Sequence, residues 1–556
     1  MNKKVCSFPI LFALLTLLIG TCAVVFPASA QAAPTSTGSI TVSGTVASSY
    51  DAYQIFSANV VDGDSDAKIA TDLAWASDAV RDAALPVLHS AGMSNSQTTA
   101  QEAAEWLNTD SHLTSALSAQ LARSLQSSGA VFVALNAGTT AELPCGYWLI
   151  VADDDAIAQG EAGTAPIMAL VGGGAVTVKP KAATPKVSKH VLEDGTAAWQ
   201  KAADATVADD LYWRLSATVP AGLTAYDTYT VRFVDTMSAG LDPSKVAASM
   251  RVYVAAGADG GFDAVSAGKD GRAGTEPAQG WTDITAQCAT KVAADGKTFT
   301  VRTGDLIAAL GGADAFTAGA RVVAVYNAPL NSACNHGIAK GNPNEVYLRY
   351  PRSPLADQSG DAGFTRTPSD DACAYTWDLA LTKRGSDGDK PLAGAVLSIT
   401  DDRGRALAAD GTWDAEGKAT VTTGEDGRVT VSGVDSGKLE VRELKAPKGY
   451  TAFEGTRSVT VKAEGLDVDQ VAAAKPKLTI TAESPLRADS ADGSTGSLEA
   501  SLINTPTGTP PSITTGGFMP STGDMAMYAA AAAAVAGAAL IVVALLVKRG
   551  GGSHKE

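Results

Sequence analysis

A lysine, a carboxylic acid and an asparagine can form an amide bond when water is kept away, and this chain places that set twice on strand faces that read as interior. Side chains two apart on a strand share a face. In Trp377-Asp-Leu-Ala-Leu-Thr-Lys383, parity groups Trp377, Leu379, Leu381 and Lys383, so Lys383 is predicted on a buried face. In Leu439-Glu-Val-Arg-Glu443, Glu440 and Arg442 point outward while Glu443 sides with Leu439 and Val441. Leu498, Ala500, Leu502 and Asn504 add an amide of the same parity. Further upstream the pattern repeats. Lys189 lies between Val187 and Val191, Asp235 follows Tyr229, Val231 and Phe233, and Asn344 precedes Val346, Leu348 and Tyr350. One such lysine alone reads as a snorkelling edge residue; two complete sets point to chemistry.

Burial dictates what that chemistry is. Loss of water pushes a lysine toward its neutral, nucleophilic amine and keeps a carboxyl protonated. The neutral acid can donate to the asparagine carbonyl and carry protons as the amine attacks and ammonia leaves. The fold holds the partners together and replaces a bimolecular encounter. The expected products are intramolecular bonds from Lys189 to Asn344 and from Lys383 to Asn504, with Asp235 and Glu443 as proton shuttles.

The elements that position these groups read as all-β. Asp194-Gly195, Asp295-Gly296, Asp410-Gly411 and Asp426-Gly427 punctuate short alternating runs rich in Val, Thr and Tyr. Helical periodicity is confined mainly to Ala67–Ser128, as in Thr99–Leu107 and His112–Leu125, and reads as a small helical insertion. The Pro/Lys-rich stretch 179–186 and the Pro/Ser/Asp-rich stretch 350–371 divide the chain. Three tandem β-sandwich domains are predicted, over 33–180, 181–360 and 372–507.

Both ends read as targeting segments. Lys3 and Lys4 precede an apolar run, Phe8–Phe26, and Ala28-Ser-Ala30, so residues 1–30 are predicted to be an export signal. A lipidated Cys22 is disfavoured by Thr21 before it. Near the other end, Met525–Val547 is a run of 23 uncharged residues, long enough to span a bilayer as a helix, and Lys548 and Arg549 keep the tail inside. Ahead of it stands Met519-Pro520-Ser521-Thr522-Gly523, behind a Pro/Gly/Thr-rich spacer. This order, over 508–523 and 524–556, resembles the LPxTG cell-wall sorting signal of Gram-positive surface proteins, with Met519 where Leu is usual. The resemblance implies cleavage between Thr522 and Gly523 and attachment of the Thr522 carbonyl to an amine.

Composition narrows the function. The 556 residues carry 59 Asp+Glu against 43 Lys+Arg, a formal net charge of −16, which disfavours nucleic acid as a partner. The five histidines show no metal-ligand spacing. Asp62, Asp64 and Asp66 open like a calcium loop, but Ala67 and Leu73 stand where its glycine and bidentate glutamate belong, so a solvated acidic turn is expected. No metal or cofactor is predicted.

With these motifs in place the chain resembles, over essentially its whole length, the sortase-assembled backbone pilins of Gram-positive bacteria. Leu381-Thr-Lys383, Pro391-Leu-Ala-Gly-Ala395, Glu443-Leu-Lys-Ala-Pro-Lys-Gly-Tyr450 and Asn504-Thr-Pro506 are similar to a CnaB-type module. Pro185-Lys-Val-Ser-Lys189, Phe233-Val-Asp-Thr-Met237 with Gly240-Leu241, and Gly341-Asn-Pro-Asn344 resemble the second domain of shaft pilins. The resemblance implies tandem immunoglobulin-like sandwiches of CnaA/CnaB type in the major subunit of a surface fibre used in adhesion. Its implied partners are pilus-class and housekeeping sortases, identical subunits, minor pilins and peptidoglycan, with an unnamed host ligand. No enzyme activity is expected beyond the self-directed bond.

Val176-Thr-Val-Lys-Pro-Lys181 resembles the pilin motif that supplies the acceptor amine, and Lys181 takes the motif lysine's place. Gly172 and Lys179 depart from the motif, which leaves Lys179 and Lys186 as alternatives. The first domain lacks the reactive set: Ala152 stands where Glu443 stands in the related stretch, and Lys68 is the only lysine from Gln31 to Val178. No isopeptide bond is expected there. In an exported protein one disulfide is expected, joining Cys334 to Cys288 or Cys373. The competing reading is a monomeric wall-anchored adhesin that binds a host ligand through its first domain.

Overall fold

The computed structural model describes residues 36–44, 46–62, 68–109, 111–180, 184–221, 223–257 and 280–508. The export signal with Cys22, the residues Asp64, Asp66, Ala67 and Lys181, the motif Met519–Gly523 and the apolar run Met525–Val547 lie outside the described residues. Among the described residues no helix is long and apolar enough to cross a membrane.

The described residues form six sheets, two for each of three successive stretches of chain. The first stretch pairs a three-stranded sheet with a five-stranded one. Its first strand, Thr37–Val42, lies parallel to its last, Val176–Val178. Helices Asp78–Ser90, Ala100–Leu107 and Ser115–Ser128 interrupt the β structure. Their ends are written in the sequence. Ser77, Thr99 and Thr114 accept from backbone amides as N-caps, Thr99 and Glu102 close a capping box, and Gly129 ends the last helix at a φ of 68°. Their apolar sides cover Tyr53, Ile55 and Leu149 of the sheet.

The helical reading of 67–128 needs one correction. Lys68–Trp75 is a strand, paired antiparallel with Ser49–Asp62. Ladder hydrogen bonds to that neighbour decide the matter where local composition was ambiguous.

The middle stretch packs a six-stranded sheet on a seven-stranded one around Trp213, Phe233, Phe299, Val322 and Leu348. The stretch 350–371, read as a linker, contributes to this body. Phe364–Arg366 and Asp370–Tyr375 both pair with strand Asn342–Pro351, and Asp370–Tyr375 also runs parallel to Ala202–Asp204. The sheet therefore continues to Tyr375, and the next sheet begins at Trp377.

The C-terminal stretch places a five-stranded sheet over a seven-stranded one around Trp377, Leu381, Val441 and Leu498. Its first strand, Trp377–Gly385, lies parallel to its last, Ser497–Pro506. Gly427 turns the chain at a φ of 73° where an added Cβ would stand 2.9 Å from the Lys383 carbonyl, so the turn admits no side chain. The bodies also touch. Tyr350 Oη donates to the Gly160 carbonyl at 2.8 Å, and Asp204 accepts from Trp377 Nε1 and Ser436 Oγ, each at 2.6 Å.

Candidate self-cross-linking sites

Strand Val187–Glu193 carries Lys189 in the six-stranded sheet, whereas Asp235 on strand Arg232–Met237 and Asn344 on strand Asn342–Pro351 are neighbours in the facing sheet. All three are 0% exposed. The Lys189 ammonium is in contact with Asp235 Oδ2. Lys189 Nζ donates to Tyr326 Oη at 2.8 Å, Asn344 Nδ2 donates to the same oxygen at 2.8 Å, and Tyr326 Oη donates to Asp235 Oδ2 at 3.0 Å. The lysine thus reaches the asparagine through one phenol that touches all three groups. The Trp213 ring faces the Lys189 nitrogen, 5.4 Å from centroid to Nζ.

Removing two ions from water costs several kcal/mol each, and mutual attraction repays this only in part. Burial pushes the Lys189 amine down to about 8 against its ordinary 10.5, and the adjacent Asp235 charge opposes but does not cancel that effect. Burial also raises the Asp235 carboxyl above the usual carboxylate range. At pH 7 roughly a tenth of such a lysine is free amine, against about one in three thousand for an exposed one.

Asp235 Oδ1 and Asn344 Oδ1 are buried without a hydrogen-bond partner. Each such orphan costs about 1–3 kcal/mol. The two deficits are complementary in kind: a protonated carboxyl is a donor and the amide oxygen an acceptor.

The second site has a different layout. Lys383 on strand Trp377–Gly385 and Asn504 on strand Ser497–Pro506 lie on adjacent parallel strands of one sheet, with Lys383 level with Leu502 and Asn504 level with Gly385. Glu443 reaches them from the facing sheet, on strand Gly437–Lys445. Lys383 and Asn504 are buried, as is Glu443, while Glu440 and Arg442 beside it are exposed. Asn504 Nδ2 donates to Glu443 Oε1 and Oε2 at 2.9 and 3.0 Å, and Lys383 Nζ lies 3.5 Å from Oε1. Lys383 also donates to the Leu502 carbonyl at 3.2 Å. Here the acid itself bridges nucleophile and amide, in contact with the nitrogen that would leave. Burial pushes Lys383 down to about 8, and Asn504 Oδ1 is again a buried orphan.

Two features escaped the sequence reading. Tyr326 is the bridging group of the first set, yet Arg321–Asn327 is an almost unbroken apolar run whose lack of alternation hides which way Tyr326 points. The strand that carries Asn344 is followed by two more that return to the same sheet, inside the stretch 350–371 and just beyond it.

The other predicted residues fall as follows. Lys179 and Lys186 are exposed on either side of 181–183. In the first body Lys68 Nζ donates to the Gly172 and Gly174 carbonyls. The expected disulfide is not made: Cys145, Cys288, Cys334 and Cys373 are free thiols. Cys288 Sγ donates to the Ile284 carbonyl at 3.3 Å, and Cys334 Sγ lies 3.5 Å from His336 Nε2, so both spend their thiols on local partners. Among the described residues no group of three or more His, Cys, Asp or Glu side chains is disposed to hold a metal ion.

The stretch that carries the second site is similar to a known domain family. Residues 378–475 match the family model of the SpaA prealbumin-like fold domain. The match contains Lys383 and Glu443. Along the chain, the similarity is to surface pilins. The trypsin-resistant surface T6 protein of Streptococcus pyogenes serotype M6 is 30% identical over 143 residues, so the chain spans about a quarter of that relative's length, 24% of each protein. Among solved structures, the T6 backbone pilin of serotype M6 S. pyogenes matches at 18% identity, over 85% of this chain and 98% of that one, with a TM-score of 0.45. The major pilin SpaD of Corynebacterium diphtheriae matches at 16% identity, over 85% and 98%, with a TM-score of 0.41.

Proposed function

We propose that the chain is the structural subunit of a covalently polymerised surface pilus, stabilised by two self-made Lys–Asn isopeptide bonds. The observation that carries this reading is the pair of buried Lys–acid–Asn sets. In each, Lys Nζ attacks Asn Cγ, the protonated acid hydrogen-bonds the carbonyl oxygen as it gains charge, and the carboxyl then relays a proton from Nζ to Nδ2. The C–Nδ2 bond breaks, ammonia leaves, and one amide replaces another. The reactions turn over nothing else, so the chain acts as a catalyst only on itself. A pilus-class sortase would join the Thr522 carbonyl of one subunit to Lys181 of the next, and the fibre would stand on the cell wall.

The test is the intact mass of the reduced 31–522 ectodomain beside its Lys189→Ala and Lys383→Ala variants. The wild type is expected to lack two ammonia masses, and each variant to regain one after correction for the substitution. A full mass in folded wild-type protein would sink the reading. In cells making a pilus-class sortase, the full-length chain should form high-molecular-weight ladders on a denaturing gel, lost in Lys181→Arg.

Tyr326 allows a finer prediction. Phenylalanine fills the same space but removes the oxygen shared by Lys189, Asp235 and Asn344. Tyr326→Phe is expected to slow the first bond by about tenfold or more, the worth of one hydrogen bond to a charged group. The Lys383 bond in the same molecule should be unaffected. Time-resolved mass spectrometry with peptide mapping after refolding reads both; equal rates in Tyr326→Phe and wild type would remove Tyr326 from the mechanism.

A further inference from the structure

The first body carries an apolar run that nothing described covers. Val131, Phe132 and Val133 are 88, 46 and 40% exposed. They lead into strand Val133–Asn136, which pairs on one side with Ser49–Ala52 and, among the described residues, with no strand on the other. Leu135 of this strand is buried, and Val133 and Val131 share its parity, so the row that faces the core continues past the core's end. Phe132 rests its ring against Tyr53 at 5.6 Å between centroids. An open strand edge flanked by exposed apolar side chains is a template for an added strand.

Position and charge point to one occupant. Strand Val133–Asn136 ends in a turn whose Gly138 amide donates to the Val42 carbonyl, and the next amide, Ser43, donates to the Val178 carbonyl, each at 2.8 Å. The far end of the open edge therefore abuts the exit of the first body, one residue before Lys179 and three before Lys181. The described chain ends at Gly508, and from Thr505 to Gly523 it contains no charged residue. Ile513, Phe518 and Met519 supply large apolar side chains in that otherwise small and polar stretch. In a chain of net charge −16, such a segment can approach a second copy without adding repulsion.

Reach fits as well. At about 3.3–3.6 Å per extended residue, Phe518 lies within roughly 14 Å of Thr522 and Ile513 within roughly 32 Å. Counted back from Gly138, Val133 and Val131 fall within roughly 18 and 25 Å by the same measure.

We infer that the open edge at Val131–Asn136 is the docking site for the sorting segment, residues 509–522, of a second copy of this chain, laid parallel to the edge with Ile513 to Met519 against Val131 to Val133. The inference rests on the assembly reading above, because it is the junction at Lys181 that brings a neighbour's segment here. Docked there, the segment presents Thr522 to the acceptor amine before the bond is made.

The probe is a labelled synthetic peptide of residues 509–522, titrated into the purified 31–523 ectodomain and followed by fluorescence anisotropy. Binding is expected, with at least a tenfold loss of affinity in Val131→Asp/Val133→Asp, whose circular dichroism should match the wild type. A peptide carrying Phe518→Asp makes the same test without altering the folded protein, and should bind at least tenfold more weakly. No binding to the wild type, or equal binding by the double variant and by the Phe518→Asp peptide, would overturn the inference. So would concentration-dependent dimerisation of a chain cut at Gly508, which lacks the segment, abolished by the double substitution; that would assign the edge to its own kind. Ladders from a chain that fails to bind peptide would sink the docking site alone; peptide binding without ladders would sink the assembly reading and leave the surface standing.

Discussion

Glu443→Ala is expected to leave the protein, after correction for the substitution, one ammonia heavier than wild type and to lower the melting temperature of the C-terminal domain by about 15–25 °C or more. Two losses add. Without the acid the amide cannot be polarised or the departing nitrogen protonated, so Lys383 and Asn504 stay apart. The closed loop between them holds on the order of 120 residues, and by the chain-entropy account used for disulfides its loss costs about 5 kcal/mol. For a domain of this size 1 kcal/mol corresponds to roughly 3–5 °C. The substitution also strips Lys383 of its buried carboxyl partner and Asn504 of both its acceptors. Glu443→Gln separates the effects. It keeps a neutral hydrogen-bonding group of the same shape but no transferable proton, so it should fold yet fail to link. Differential scanning calorimetry with intact mass reads both, and a linked Glu443→Ala protein would remove Glu443 from the proposed chemistry.

The rate of bond formation should depend on pH in a direction fixed by the two lysines. The nucleophile is the free amine, and burial places both lysines near 8. From pH 6 to 8 the rate is expected to rise about tenfold per unit, then level off as the amine becomes fully free. In the middle domain the step also needs Asp235 protonated, a form that burial favours by raising its carboxyl above the ordinary carboxylate range. Refolding an unlinked chain across a pH series and timing ammonia loss measures this; a flat profile from 6 to 8 would mean that a step other than amine attack limits the rate.

Linkage gives a matching sign in stability. Each unlinked lysine has a folded value below its unfolded one, so the unfolded chain holds the extra proton between about 8 and 10.5. The unlinked fold should therefore gain stability as pH rises through that window. The linked fold has no amine left to titrate and should show no such gain from these residues.

Much of the site can be read from strand parity because alternation is a geometric fact of an extended chain. Lys383, Glu443 and Asn504 stand in runs where polar and apolar residues alternate, and the faces so defined are the buried ones. Where alternation fails, so does the reading, as at Tyr326 in its apolar strand. Parity also assigns a residue to a face and not to a sheet. It did not distinguish Lys189 and Asn344, which meet across the two sheets, from Lys383 and Asn504, which are neighbours in one. Composition misled at Asp370–Tyr375, whose leading acids suggested a loop while its pairing partners lie far away in sequence. The cysteines show the same limit, since spacing states which thiols exist and not which of them the sheets bring face to face.

The parallel strands that begin and end the first domain meet over only three residue pairs, Ile40–Val176 to Val42–Val178, with nothing covalent proposed between them. A pull applied to the ends of this domain would shear that short ladder and pay out a long tether. In the proposed fibre the acceptor amine lies three residues after Val178, so a tug between neighbours enters below this domain and leaves through the other two. The first domain then hangs from the cable as a pendant, wired in parallel and not in series. It can stay unstapled, and its helices and outer surface are free to change without weakening the line.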